Sequence, residues 1–225
     1  MNASLDIARA RFNMVEQQIR TWEVLDQDVL DLLYAVHREA FVPNEYRALA
    51  FSDLEIPLGP GGSASPRMWA PKLEARVLQE MGIRHSDLAL EVGTGSGYFA
   101  ALLAHRAHAV VSIEIAEELA QTGRRNLLDA GIDNVEVCVG DGALGWTARA
   151  PFDVIVLTGS TPVIDQALLD QLKPGGRLFA VVGDAPVMTA CLFTRSGDGA
   201  FRRRDLFETF LAPLTKAPQP RRFSF

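Results

Sequence analysis

The sequence predicts an α/β fold: a doubly wound, mostly parallel sheet with a C-terminal antiparallel hairpin and an N-terminal helical extension. Three observations predict it. From residue 71 onward, apolar runs of strand length alternate with helical segments, which is the pattern of crossover units around a parallel sheet. Before that point, apolar residues recur at helical spacing between residues 5 and 37. Near the C-terminus, two strand-like runs are joined by the turn sequence RSGDG.

The N-terminal part is predicted to contain two helices that are interrupted near the sequence TWEVLD. Pro43 ends this part, because proline cannot continue a helix. The stretch PLGPGGSASPRMWAPKLE, residues 57–74, has neither helical nor strand period and leads into a helix before the first strand of the sheet. We therefore predict a division between residues 1–70, a helical extension with its loop, and residues 71–225, a core with a hairpin and a C-terminal arm.

The elements of the core follow from its apolar runs, taken in chain order. A buried strand, LALEVG, is followed by a glycine-rich turn and the helix YFAALLAHRA. A second strand, AVVSIEI, precedes a helix that ends near Gly131. The remaining parallel strands are VEVCVGDG, FDVIVLTG and RLFAVVG, with the helix VIDQALLDQLKPGG before the last of them. The hairpin is predicted from MTACLFT and FRRRDLFETFLAPL.

Composition limits the classes of function. Apolar residues make up 48% of the 225 residues, which is enough for a large core. The net charge is −6 and the 22 basic residues are scattered, so we expect no nucleic-acid partner. The N-terminus has no apolar signal segment and no run approaches membrane-spanning length, so we expect a cytoplasmic protein without a membrane partner. Cys138 and Cys191 are far apart and are expected to be small core residues, and no spacing predicts a metal site.

The turn LEVGTGSGY carries the strongest functional signal. Gly93, Gly95 and Gly97 come directly after a buried strand and before a helix, so the backbone can turn tightly and approach a ligand. The spacing is GxGxG, which differs from the GxGxxG of dinucleotide sites. Glu91 adds a charge that would repel a pyrophosphate and attract a ligand with an ammonium and a sulfonium group. Together with Thr94, these residues are candidates for cofactor binding in a Rossmann-like fold.

Acidic residues end the next two strands. Glu114 ends the second strand, where a carboxylate suits a ribose diol. Asp141 ends the third strand, where it could accept a hydrogen bond from the edge of an adenine, and Gly142 follows it. Each acid alone would be explained as a solvated charge or a turn residue. Because they lie in series at the carboxyl edge of the sheet, where open α/β sheets bind ligands, we predict that they belong to the same cofactor site.

This ordered set of motifs resembles the class I S-adenosylmethionine-dependent methyltransferases, and more specifically the protein-L-isoaspartate O-methyltransferase family. The resemblance implies S-adenosyl-L-methionine as the cofactor. It also implies a repair reaction in which the α-carboxylate of isoaspartyl residues in damaged proteins is methylated, by an enzyme that we expect to be a monomer or weak homodimer. The motifs run in order from residue 14 to residue 214 and are MVEQQIR, REAFVP, LEVGTGSGYFAALLA, GDGALGW, APFDVIVLTG with QLKPGGRL, and FLAPL.

The implied chemistry agrees with the residues that are available. An α-carboxylate has a pKa of about 3.3–3.7, so it is ionised at neutral pH and needs no general base. The sequence accordingly has no arrangement of Ser, His and Asp or of Cys and His that indicates an activated nucleophile. We expect the rate to come from alignment of the reacting atoms and from exclusion of water.

The loop within residues 57–74 is where the chain departs from the family. After PLG the family reads Gly-Gln-Thr-(Ile or Val)-Ser-Gln-Pro and holds the substrate carboxylate through hydroxyl groups. Aligned without a gap, Gly61 matches the glycine, Ser63 stands for the Thr and Ser65 keeps the Ser. Gly62 and Pro66 replace the two glutamines, and Arg67 falls where the Pro belongs. The resemblance therefore implies Ser65 as the catalytic and substrate-binding residue and Ser63 as a further substrate contact.

Arg67 has no counterpart in the family pattern and allows three interpretations. It is a solvent-facing side chain, or a bidentate clamp on a substrate carboxylate, or a sign that the loop accepts a different acid. The changed loop also leaves two alternatives for the protein as a whole. One is a methyltransferase for another carboxylate or hydroxyl group, and the other is a cofactor-binding protein that has lost catalysis.

Overall fold

A computed structural model describes residues 3–59 and 66–220 and confirms the predicted fold class. A seven-stranded sheet is formed by β3 to β9, and a separate two-stranded ribbon is formed by β1 and β2. The strands are β1 (Ile56–Pro57), β2 (Arg67–Met68), β3 (Leu88–Val92), β4 (Ala109–Glu114), β5 (Val135–Val139), β6 (Phe152–Thr161), β7 (Leu172–Asp184), β8 (Val187–Arg195) and β9 (Phe201–Glu208).

The order of strands in the sheet is β5-β4-β3-β6-β7-β8-β9. The first five in this order are parallel, and β8 and β9 continue the sheet as the predicted antiparallel hairpin. The chain leaves β3 toward β4 on one side and later returns to β6 on the other side. This reversal opens a crevice at the carboxyl end of β3, which is where doubly wound sheets bind their ligands.

The helices begin and end at residues suited to those positions. In α2 the carboxylate of Asp26 accepts hydrogen bonds from the backbone N–H groups of Asp28 and Val29, which caps the first turn. In α3 the first residue is Pro71, and Gly82 ends the helix with a φ of 52°. The α-helices are α1 (Ala3–Asn13), α2 (Gln27–Ala35), α3 (Pro71–Met81), α4 (Tyr98–Arg106), α5 (Glu117–Asp129) and α6 (Gln166–Asp170).

The N-terminal helices pack directly on the sheet. Val154 and Val156 of β6 share one buried apolar cluster with Met14 and Leu33 from the N-terminal part. The intervening side chains of β6 face the cluster on the opposite side of the sheet, as alternation along a strand requires. The extension therefore covers one face of the core, and its division from the core near residue 70 stays a prediction.

Two local predictions need correction. The helix expected from VIDQALLDQLKPGG is only the five-residue α6, and β7 already begins at Leu172. Pro174 and Gly175, which has a φ of 79°, cannot continue a helix, and the register between β6 and β7 shifts at this point. Cys191 is buried as expected, whereas Cys138 is only half-buried and lies near Glu136.

A buried ion pair joins the N-terminal part to the core. The guanidinium of Arg38 donates a hydrogen bond to the carboxylate of Glu74 on α3, and both side chains are 1% exposed. The same guanidinium donates to the backbone carbonyls of Ala50, at 2.9 Å, and Trp69, at 2.5 Å. Its carbon lies 5.1 Å from the centre of the Tyr98 ring. Burial raises the pKa of Glu74, and the charge of Arg38 opposes this rise. Arg38 therefore favours the ionised form of the Glu74 carboxyl group.

We expect Arg38→Met to lower the free energy of unfolding by about 3–5 kcal/mol, because it leaves the Glu74 carboxyl and two carbonyl groups buried without their donor. Urea unfolding monitored by circular dichroism measures the effect. The control is Arg204→Met, which removes a half-exposed arginine from Glu80 and should cost far less. Equal losses in the two variants would contradict a special role for the buried pair.

Candidate active site

A cleft of about 230 Å³ lies at the carboxyl edge of the sheet, at the crevice beside β3. Its floor is the glycine turn after β3 together with the ends of β4, β5 and β6. One wall is the β1–β2 ribbon, and the other is a segment that we call the strap, residues 211–215. A second, smaller cavity, of about 30 Å³, lies between the glycine turn and the β1–β2 ribbon and shares several lining residues with the cleft.

The glycine turn brings the backbone to the cleft. Gly93 and Gly95 line the cleft with φ values of 102° and 52°, a region that L side chains rarely adopt. A Cβ atom on Gly93 would lie 2.1 Å from the hydroxyl oxygen of Thr158. Gly97 has a different role: it lines neither cavity, and a Cβ atom there would lie 3.0 Å from the carbonyl oxygen of Gly123 on α5. Two of the three predicted glycines thus face the cleft, and the third permits close helix packing.

Glu114 lies in the cleft at the end of β4, as the sequence predicts. Its carboxylate accepts hydrogen bonds from the backbone N–H groups of Gly95, at 2.9 Å, and Ala116, at 3.1 Å. The acid therefore holds the glycine turn in place. An ionised carboxylate accepts up to about four hydrogen bonds, so it retains capacity for the two hydroxyl groups of a ribose.

Glu91 and Thr94 do not line the cleft itself. Both line the smaller cavity, and Glu91 is fully buried. One carboxyl oxygen of Glu91 accepts a hydrogen bond from the hydroxyl of Ser112, which lies 2.6 Å from the hydroxyl of Thr94. Burial raises the pKa of Glu91 to about 8, the Ser112 hydrogen bond opposes this, and the charge of Glu114 adds to it. The carboxyl group that the sequence suggested as a charge facing the cofactor is therefore buried and hydrogen-bonded within the protein.

Asp141 and Gly142 both line the cleft at the end of β5. The carboxylate of Asp141 accepts a hydrogen bond from the N–H of Ala143 at 3.0 Å and lies 3.5 Å from the ammonium of Lys216. A Cβ atom on Gly142 would lie 2.9 Å from a methyl carbon of Val92, so a larger residue here would push the chain into the cleft. The structure thus brings these two residues together with Gly93, Gly95 and Glu114.

Sequence reasoning missed two residues in the centre of the cleft, Trp69 and Thr158. The indole N–H of Trp69 donates to the carbonyl of Thr158 at 2.8 Å. The hydroxyl of Thr158 lies 2.8 Å from the carbonyl oxygens of Val92 and Gly93 and donates to them. Trp69 also packs its ring against Phe99, at 5.2 Å between centroids. The glycine turn is thereby tied to the segment that follows the loop, and no local sequence signal indicates this.

The strap was also missed as a wall of the cleft, although FLAPL was noted as a motif. Ser160 of β6 fixes it through three hydrogen bonds, two along the backbone and one from its hydroxyl to the carbonyl of Leu211. A Cβ atom on Gly159 would lie 2.9 Å from Leu214, so glycine allows the close approach of the strap to β6.

The predicted substrate residues are only partly described. Ser63 and Ser65, together with Gly61 and Gly62, lie outside the described residues, so their placement stays a prediction. Arg67 lines both the cleft and the smaller cavity, with its Nε atom 4.0 Å from a carboxylate oxygen of Glu55. Burial raises the pKa of Glu55, and Arg67 opposes the rise.

The described residues contain neither a cluster of metal ligands nor a membrane-spanning helix. Within residues 3–59 and 66–220, no group of three or more His, Cys, Asp or Glu side chains is arranged to hold a metal ion. In the same part of the chain, every helix is too short or too polar to cross a lipid bilayer.

The family model described as protein-L-isoaspartate(D-aspartate) O-methyltransferase matches residues 9–219 of this chain. A protein-L-isoaspartate O-methyltransferase of Methanoculleus marisnigri is 44% identical over 175 residues, which cover 78% of each chain. One from Methylorubrum extorquens is 38% identical over 211 residues, covering 94% of this chain and 90% of its own.

Solved structures agree at the level of the fold. A protein-L-isoaspartate O-methyltransferase superposes with a TM-score of 0.79 at 24% identity, over 91% of this chain and 66% of its own. A Plasmodium falciparum protein described as a putative protein-L-isoaspartate O-methyltransferase, in complex with S-adenosyl-L-homocysteine, gives a TM-score of 0.77 at 19% identity, over 91% of this chain and 97% of its own. These findings confirm the family, the fold and the enzyme class predicted from the motifs: the chain belongs to the protein-L-isoaspartate(D-aspartate) O-methyltransferase family.

Proposed function

We propose that this protein transfers a methyl group from S-adenosyl-L-methionine to the free carboxylate of isoaspartyl residues in damaged proteins. The observation that carries the proposal is a cleft with a glycine floor and two acids at adjacent strand ends, in a chain whose family match spans residues 9–219. The proposed cellular setting is the cytoplasm, and the proposed assembly is a monomer or weak homodimer.

The cleft suits the cofactor in shape and in chemistry. Its floor is open because Gly93, Gly95 and Gly142 carry no side chains, and Cβ atoms at Gly93 and Gly142 would meet neighbouring atoms within 3 Å. Glu114 would hold the ribose hydroxyl groups and Asp141 the amino group of the adenine. Glu91 and Thr94, which line the smaller cavity, would affect the cofactor indirectly by fixing the backbone of the glycine turn. When bound, the cofactor supplies a methyl group made electrophilic by a sulfonium.

The chain itself has to bind, orient and dehydrate the acceptor. The carboxylate is already ionised, so no residue has to remove a proton. Trp69 and the strap contribute apolar surface to the cleft, which would help to exclude water around the nucleophile once the substrate is bound. The hydroxyl groups of Ser63 and Ser65 would hold the carboxylate without a full opposing charge, and Arg67 would bind the oxygen that does not react.

A second candidate function rests on the loop. Pro66 and Arg67 stand where the family has glutamine and proline, which is what a site adapted to another acid would show. A cofactor-binding protein without catalysis would combine the intact glycine turn with the same changed loop. We favour the isoaspartyl substrate because the relatives that cover most of this chain carry that name.

The proposed activity predicts selective methylation of isoaspartyl peptides. Purified protein and labelled S-adenosyl-L-methionine are offered two peptides that differ only in having isoaspartate or aspartate at one position, and base-labile methyl ester is counted. Only the isoaspartyl peptide should be labelled. Labelling of neither peptide, with cofactor binding intact by calorimetry, would contradict the proposal and favour the two alternatives.

Gly93→Ala should weaken cofactor binding about tenfold or more, because a loss of only ~1.4 kcal/mol suffices for a factor of ten. The new methyl group would displace Thr158 and narrow the cleft. Isothermal titration with S-adenosyl-L-homocysteine measures the affinity. The matched control is Gly131→Ala, which has a similar positive φ of 72° but open space around it. If the control lost as much affinity, backbone strain rather than the cleft would be responsible.

The loop residues should affect the substrate and not the cofactor. Ser65→Ala should lower turnover strongly, and Arg67→Ala should mainly raise the KM for the peptide, because the proposal assigns Ser65 to the reacting carboxylate and Arg67 to the oxygen that does not react. Both variants should keep the affinity of the parent for S-adenosyl-L-homocysteine. Unchanged peptide kinetics in Ser65→Ala would remove this residue from the site, and the same result in Arg67→Ala would refute the clamp.

A further inference from the structure

Two opposite charges line the cleft at the ribbon: Arg67 in β2 and Glu55 directly before β1. Ile56 pairs with Met68 and Pro57 with Arg67, and the N–H of Leu58 donates to the carbonyl of Pro66 at 2.8 Å. Ile56 and Met68 are buried in the core beneath the ribbon. Because side chains alternate along a strand, the residues on either side of this buried pair turn the other way. The ribbon therefore fixes which way Arg67 points.

Glu55 immediately precedes the ribbon and faces the same cleft as Arg67. The guanidinium Nε and a carboxylate oxygen are 4.0 Å apart, with the two side chains 28% and 31% exposed. This separation is an ion pair without a hydrogen bond between those two atoms. The charge of Arg67 is thus already opposed by a carboxylate when an acceptor carboxylate reaches the cleft.

We infer that Glu55 is the counter-ion that weakens the attraction of Arg67 for the acceptor carboxylate and thereby sets both substrate affinity and product release. The inference rests on the proposed function, because it takes a carboxylate as the occupant of the cleft next to Arg67. It assigns Glu55 as a positioning and specificity-determining residue that acts through Arg67 and not as a catalytic residue.

The physical reason lies in how charge changes during the reaction. A carboxylate oxygen forms a bond to the methyl carbon, the bond between that carbon and sulfur breaks, and its electron pair goes to the sulfur. An anion and a cation thus become a neutral ester and a neutral thioether, and no proton moves. An arginine paired only with the acceptor would stabilise the anion before the reaction and lose that stabilisation during it, which raises the barrier.

Sharing the guanidinium reduces this penalty. A guanidinium whose charge is already partly balanced by Glu55 attracts the acceptor less strongly, so the acceptor is held more weakly and keeps more of its nucleophilic character. After transfer the ester has no charge, and Arg67 returns to Glu55, which is already in place 4.0 Å away. Partial burial raises the pKa of Glu55, and the charge of Arg67 opposes the rise. Arg67 thus favours the ionised form of this carboxyl group. The cleft is then ready for the next anion.

The test is a double-mutant cycle with Glu55→Gln, Arg67→Ala and the double variant. Affinity for a fluorescent isoaspartyl peptide is measured by anisotropy with saturating S-adenosyl-L-homocysteine, where no transfer occurs, and KM and kcat are measured separately. Glu55→Gln should tighten peptide binding about three- to fivefold, the scale of a half-exposed charge pair. It should lower KM and kcat together and leave kcat/KM nearly unchanged. In the Arg67→Ala background it should change neither binding nor kinetics.

The matched control is Asp53→Asn. Asp53 lies two residues before Glu55, is equally exposed at 31%, and pairs with Lys72 at 2.6 Å. The Asp53→Asn substitution removes the same charge from the same segment without affecting the partner of Arg67, so it should leave peptide affinity unchanged. Glu55→Asp, which retracts the carboxylate by one methylene group, should give an intermediate affinity if Glu55→Gln proves unstable.

The outcomes separate the inference from the proposed function. If the parent methylates isoaspartyl peptides and Glu55→Gln binds them equally or more weakly, the counter-ion role is wrong and the function stands. A gain in affinity that persists in the Arg67→Ala background, or that Asp53→Asn reproduces, would also overturn it, because the effect would then be general electrostatics. A parent that neither binds nor methylates isoaspartyl peptides would overturn both.

Discussion

The buried ion pair between Arg38 and Glu74 is the constraint on which the active-site wall depends. Removing two charges from water is costly, and the cost is recovered only when the remaining donors and acceptors are also satisfied. Here the guanidinium also binds the carbonyls of Ala50 and Trp69, so one side chain from the N-terminal part fixes α3, the segment before the ribbon and the residue after it. The family motif REAFVP, which contains this arginine, is thus linked to the geometry of the cleft by contacts and not by sequence alone.

That constraint passes to the cofactor side through Trp69. Its carbonyl is held by Arg38 and its indole N–H is held by the carbonyl of Thr158, whose hydroxyl in turn binds the carbonyls that begin the glycine turn. Gly95 on the same turn is held from the other side by Glu114. The substrate wall and the cofactor floor are therefore parts of one hydrogen-bonded network. A substitution in the wall is therefore expected to alter the floor as well, and the affinities for cofactor and for peptide have to be measured separately.

What the sequence predicted correctly depends on local signals. Apolar runs define β3, β4 and β6, and glycine spacing defines the turn, because both are set by neighbouring residues. Trp69 and Thr158 were not predictable in this way, since their contact joins residues 89 positions apart. Glu91 is a related case: its position in the sequence, next to the glycine turn, does not show that the fold buries its carboxyl group and that burial raises its pKa to about 8. In α6 the opposite holds: the apolar pattern predicts a longer helix, but Pro174 cannot continue it and the helix ends at Asp170.

The distribution of charge in the cleft suits a reaction in which an anion and a cation neutralise each other. On the side of the glycine turn, Glu114 accepts hydrogen bonds from two backbone N–H groups and Asp141 from one, and these bonds orient both carboxylates at the floor of the cleft. On the substrate side the only described cation of the ribbon, Arg67, is already opposed by Glu55. A site that held the carboxylate tightly would stabilise the reactant more than the transition state, in which that charge is disappearing. In the role proposed for Glu55, a cation weakened in this way would avoid the penalty, and a loop without the family's glutamines would then still suit methyl transfer to a carboxylate.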